Sequence, residues 1–151
     1  MPLQVKDVMS THLVTLSVDE TVSLAEQLMQ AMSVRHLPVL GEGDHLVGVV
    51  SDRDLLAAAA SSLQDTDPRE ARAAGRRVKV EQIMTRDVLV AEPHTRLLDA
   101  AVSMREHKIS CLPVVEDRIL VGLLTETDLV DVLIDALQSP GSPDAASPQR
   151  G

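Results

Sequence analysis

No phenylalanine, tyrosine or tryptophan occurs anywhere in the 151 residues. The core must therefore be aliphatic, filled by Leu, Val, Ile, Ala and 6 Met, and any flat base bound here would lie between aliphatic side chains instead of on an aromatic ring. A lone cysteine, Cys111, excludes an intrachain disulfide. It stands in the strand-like run 109–115, where a small buried hydrophobe and a reactive thiol are both open readings. There is no run of about 18 consecutive apolar residues and no apolar signal segment at the N-terminus, so a soluble, cytoplasmic protein without membrane contact is expected. Positive charge is short, with 14 Lys+Arg against 23 Asp+Glu. The resulting net charge of −9 opposes nonspecific attraction to nucleic acid or an anionic membrane, and a phosphate ligand would need a local basic patch. Missing too are the His-x-x-x-His and His/Cys pairings of metal sites, and the Gly-x-Ser-x-Gly, Walker A and Gly-x-Gly-x-x-Gly segments. These absences point away from an enzyme, a catalytic cofactor or a bound metal.

What is present is a repeated stretch. Gly48-Val49-Val50-Ser51-Asp52-Arg53-Asp54-Leu55 returns as Gly122-Leu123-Leu124-Thr125-Glu126-Thr127-Asp128-Leu129. Aliphatic residues after a Gly read as a buried strand, and the Ser or Thr that follows reads as the N-cap of a helix. A helix N-terminus offers unpaired N–H groups and the positive end of a dipole, which together suit an anion. Ser51 with Asp54 and Thr125 with Asp128 also have the spacing of a capping box, although that box favours Glu or Gln where both copies carry Asp. Helix closure and ligand binding are both open for these residues.

The stretch belongs to a longer repeat. Val5, Met9, Ala25, Met29, Leu37 and Pro38 match Val80, Met84, Ala100, Met104, Leu112 and Pro113 at a spacing of 75, which becomes 74 between Gly48 and Gly122. Each unit reads as a Val-x-x-Val/Ile-Met-Ser/Thr lead-in, a short strand (13–16; 88–91), a helix (22–32; 97–107), two strands (37–40 and 46–51; 111–115 and 119–125) and a second helix. Residues 61–79, polar and rich in arginine, read as a linker with some helix over 69–74. A solvated linker and a phosphate-binding one are both open there. Residues 138–151, with three Pro, three Ser and two Gly, are expected to be disordered.

These motifs resemble a tandem pair of CBS domains: Asp7-Val8-Met9-Ser10 with Gln82-Ile83-Met84-Thr85, Leu37-Pro38-Val39 with Leu112-Pro113-Val114, and the two Gly-to-Asp stretches. The resemblance implies a mixed α/β fold, with β-α-β-β-α units at 5–60 and 80–137 packed through their sheets about a pseudo-twofold axis. It also implies two clefts for adenosine compounds such as AMP, ADP, ATP or S-adenosylmethionine, bound as regulatory ligands. Carried over residue by residue, Asp54 and Asp128 would accept hydrogen bonds from ribose hydroxyls, with Ser51 and Thr125 on ribose or phosphate. The base would rest against Thr15, Leu16, Val34, Leu37 and Pro38 in one cleft and Val90, Ala91, Ile109, Leu112 and Pro113 in the other. His36, which matches Cys111, would line a cleft or fill core, and a Cys/His couple can be imagined.

Arg35 and Arg53 match Ser110 and Thr127, so the first cleft is expected to be the more basic unless both arginines are solvated, although the resemblance implies clefts that draw on both repeats and could share one arginine. In the last helix Leu129, Val130, Val132, Leu133, Ile134, Ala136 and Leu137 leave only Asp128, Asp131 and Asp135 for water, which predicts a homodimer through helices. Two functions of different class follow: an adenine-nucleotide sensor acting on an effector protein encoded elsewhere, or a ligand-free dimerisation scaffold whose aspartates only cap helices.

Overall fold

The computed structural model describes residues 2–62, 67, 69–70 and 77–139. Expectations for linker residues 63–66, 68 and 71–76, Arg72 and Arg76 among them, and for the tail past Ser139, lie outside the described residues. Among those described, the first half comprises β1 (Leu16–Ser17), α1 (Val22–Met32), β2 (His36–Leu40), β3 (Leu46–Ser51) and α2 (Asp52–Ser62). The second comprises α3 (Leu97–His107), β4 (Cys111–Glu116), β5 (Ile119–Thr125) and α4 (Glu126–Gln138). β2 and β3 pair antiparallel, as do β4 and β5, with Pro38 opposite Val49 and Pro113 opposite Leu123.

The short strand expected before each first helix is largely absent. In the first half only Leu16 and Ser17 pair, in parallel with Val39 and Leu40. In the second half 88–91 is not a strand, and Ala91 alone bridges Val114. The Leu-Pro-Val motif supplies the reason. Extending either parallel ladder one rung toward the N-terminus would need a backbone N–H from Pro38 or Pro113, and proline has none.

Helix boundaries follow from local chemistry. Thr21 caps α1 by accepting from Leu24 N at 3.2 Å, and the chain leaves α1 through Ser33 with φ 54°. Its counterpart Lys108 ends α3 with φ 55°. Such left-handed residues satisfy the last helical carbonyls, a position that glycine usually takes.

The lead-in of each half belongs to the core of the other half. Val5 is fully buried in the cluster of Ala91, Leu97, Ala100, Met104, Leu112, Val114 and Leu124, whereas Val80 and Met84 pack among Leu16, Ala25, Met29, Leu37, Val39 and Val50. Backbone pairing follows the same exchange: Ser10 bonds Leu123 in both directions (2.9 and 3.0 Å), and Thr85 bonds Val49 likewise (2.9 and 3.0 Å). The exchange accounts for both glycines of the repeated stretch. A Cβ on Gly48 would stand 2.8 Å from Met84 Sδ and 2.8 Å from the Thr85 carbonyl oxygen, and one on Gly122 would overlap Met9 Sδ. Among the described residues no polar side chain is buried, and no helix is long and apolar enough to cross a membrane.

Candidate functional site

Each half closes its second helix with the capping box that the spacing allowed. Ser51 N donates to Asp54 Oδ2 at 2.8 Å, and Asp54 N donates to Ser51 Oγ at 3.1 Å. Thr125 N donates to Asp128 Oδ2 at 2.8 Å, and Asp128 N donates to Thr125 Oγ1 at 3.4 Å. The carboxylates are not used up by this. Asp128 Oδ1 accepts from no protein donor among the described residues, and the side chain lines a cleft.

Two clefts lie where the halves meet, each built from both halves. A cavity of about 490 Å³ sets Thr125, Glu126, Thr127, Asp128 and Leu123 of the second half against Ser10, His12, Leu13, Val14, Ser33, Val34, Arg35 and His36 of the first, with Ser110 at the boundary. Its pseudo-twofold counterpart, about 180 Å³, sets Val49, Ser51, Asp52, Arg53 and Asp54 against Thr85, Val88, Lys108, Ile109, Ser110, Cys111 and Pro113, again with His36. Each helix start is pinned within its own half to the residue just before the half's first hairpin strand: Asp52 N donates to the Arg35 carbonyl at 2.9 Å and Glu126 N to the Ser110 carbonyl at 3.0 Å. In each cleft a helix N-terminus, hydroxyls and a carboxylate face an aliphatic wall, so polar and flat apolar groups of one ligand could be met together.

Of the residues expected from sequence, Val34, Arg35, His36, Ser110, Thr125 and Asp128 come together in the larger cleft, and His36, Ser51, Arg53, Asp54, Ile109, Ser110 and Pro113 in the smaller. Thr15, Leu16, Leu37, Pro38, Val90, Ala91 and Leu112 line neither. Leu16, Leu37, Ala91 and Leu112 are core, Pro38 is fully buried, and Val90 points outward at 45% exposure. The two arginines divide between the clefts, the sharing that a plan drawing on both repeats allows. Arg35 faces Asp128 across the boundary, while Arg53 stays with Asp54, because each cleft takes its helix start from one half and its wall from the other. Ser10, Thr85, Ser33 and Lys108 were not anticipated. The signal for them was the repeat itself, since Ser10 matches Thr85 and Ser33 matches Lys108.

His36 and Ser110 stand between the clefts, with Nε2 and Oγ hydrogen-bonded at 3.0 Å. Burial holds the His36 pKa below its ordinary value and Arg35 adds to this, while Asp52, Asp54 and Glu126 oppose it. No Cys/His couple forms: His36 meets Ser110, and burial, with the nearby Asp128 charge, pushes the Cys111 thiol up to about 12. Among the described residues no cluster of three or more His, Cys, Asp or Glu could hold a metal ion.

Comparison with known proteins agrees with this geometry. The CBS domain signature matches twice, at 5–61 and 80–135. A CBS domain-containing protein of Dictyostelium discoideum is 32% identical over 139 residues, 91% of this chain and 96% of its own. Homoserine O-acetyltransferase of Methanohalophilus mahii is 34% identical over 133 residues, but the match spans only 24% of that enzyme and 87% of this chain. The crystal structure of a Vibrio cholerae protein described as AcuB superposes with a TM-score of 0.81 at 37% identity, over 91% of this chain and 96% of that one. CBSX2 in complex with AMP gives 0.74 at 32% identity, over 88% and 97%. The CBS domain pair of MJ0100, in complex with 5′-methylthioadenosine and S-adenosyl-L-methionine, gives 0.75 at 26% identity, over 90% and 99%. With both signatures matched and both halves folded alike, this chain belongs to the CBS domain family, as a tandem pair.

Proposed function

We propose that this CBS pair is a cytoplasmic regulatory module that binds an adenosine compound in a cleft between its halves and transmits the binding to an effector protein. The observation that carries the reading is the disposition around Asp128. One carboxylate oxygen closes the helix cap and the other stays uncommitted in a cavity of about 490 Å³, opposite Val14 and Val34. Such a carboxylate suits a vicinal diol, Thr125, Thr127 and the α4 N-terminus suit phosphate with Arg35 opposite, and the aliphatic wall suits a purine. Asp54, Ser51 and Arg53 hold the matching places in the smaller cleft. The complexes of CBSX2 with AMP and of MJ0100 with S-adenosylmethionine support adenosine compounds as the ligand class. The neutral Cys111 thiol and the paired His36 favour binding over catalysis.

One observation favours the scaffold reading: both aspartates are held in capping boxes of their own helices. Thermal unfolding with AMP, ATP and S-adenosylmethionine separates the two. At a hundredfold excess over Kd a native-state ligand adds about 2.7 kcal/mol, which for a chain of this size raises Tm by roughly 5–10 °C. An unchanged Tm with all three ligands would leave the scaffold.

A further inference from the structure

The two clefts share a pseudo-twofold plan but differ at matched positions. At the left-handed residue that ends the first helix of each half, the larger cleft has Ser33 and the smaller has Lys108. The cavities measure about 490 and 180 Å³. Small-molecule pockets usually start at about 300 Å³, so only the larger is sized for a nucleotide. The carboxylates differ as well. Thr85 places its hydroxyl 3.5 Å from both oxygens of Asp54, whereas the matched Ser10 leaves Asp128 Oδ1 without a protein donor. Charge separates them further: Lys108 and Arg53 already balance Asp52 and Asp54 in the smaller cleft, while Arg35 alone faces Glu126 and Asp128 in the larger.

Building on the function proposed above, we infer that the chain binds one nucleoside monophosphate, in the Asp128 cleft, and that Lys108 is the residue that closes the Asp54 cleft to nucleotide. Arg35 meets a single phosphate; further phosphates would find no second Lys or Arg among the described lining residues and would approach Glu126. The pair Ser33 and Lys108 thus sets which half-interface is used, although the two helix starts are built alike.

Isothermal titration with AMP and ATP tests this on the full chain, with circular dichroism confirming that each variant is folded. The expected result is one AMP per chain, with ATP at least tenfold weaker. Asp128→Asn and Arg35→Ala each weaken AMP at least tenfold, and the loss in Asp128→Asn exceeds that in Asp54→Asn at least fivefold. Lys108→Ser, which copies the small residue of the open cleft, raises the stoichiometry toward two. Two equivalent AMP sites in wild type, equal losses in Asp54→Asn and Asp128→Asn, a stoichiometry still at one in Lys108→Ser, or ATP binding as tightly as AMP would overturn the inference while leaving the binding function intact. No AMP or ATP binding to folded wild type or any variant would overturn the inference, and no S-adenosylmethionine binding besides would overturn the proposed function as well.

Discussion

Asp54 and Asp128 each give one carboxylate oxygen to a backbone N–H of their own helix cap. Substituting alanine would therefore remove a cap worth about 0.5–2 kcal/mol together with any ligand contact, which is why asparagine, able to keep accepting, is the informative replacement. The residue scale also decides what Cys111 is. Sequence left a buried hydrophobe and a reactive thiol both open; with its pKa pushed up to about 12 by burial first and Asp128 second, the thiol stays protonated at neutral pH. Its folded pKa lies above the ordinary 9.0, so the resulting stabilisation is complete below 9.0 and fades only as pH rises toward 12. Iodoacetamide at pH 8 should label the native chain far more slowly than the urea-unfolded chain. Equal rates would show an accessible thiolate and contradict the burial.

Helices and hairpins were legible as elements because local chemistry specifies them: caps at Thr21, Ser51 and Thr125, and short continuous aliphatic runs around glycine. The strand expected over 88–91 was not, because its apolar run carries no sign that its partner is a proline with no N–H to offer. The glycines of the repeated stretch read locally as strand starts, yet their reason is remote: a methionine from the other half lies against each. Gly48→Ala should cost about 1–3 kcal/mol, since the new Cβ would press on the Thr85 backbone as well as Met84. Gly122→Ala should cost less, since all its close neighbours are atoms of the flexible Met9 side chain. Adding Met9→Ala should then cost less than the two single losses summed. Urea unfolding checks the order; a neutral Gly48→Ala would refute the close approach.

Over the whole molecule, the 75-residue spacing made two units visible, and the family resemblance supplied their packing plan. The period could not show that the lead-ins cross over, because a segment such as Val5-to-Met9 has the same spacing whether it packs on its own half or on the other. That crossing also explains why chain proximity alone does not group cleft residues: Arg35 and Arg53 are close along the chain but open onto different clefts. On the outer surface α4 leaves Val130, Leu133 and Ile134 at 50%, 56% and 44% exposure. Such a stripe on a helix is costly in water, and we propose that a second copy of the chain covers it. Light scattering at micromolar concentration should give twice the chain mass, and Leu133→Glu should halve it; a monomeric wild type would refute the dimer. The binding claim is tested most directly by methyl NMR, for which a chain without Phe, Tyr or Trp has only its five imidazoles as internal sources of ring-current shift. On titration with AMP the methyls of Val14, Val34 and Leu123 should move while the core methyls of Val50 and Val114 stay; no movement at saturating AMP, or movement confined to Val130, Leu133 and Ile134 on α4, would contradict a nucleotide site between the halves.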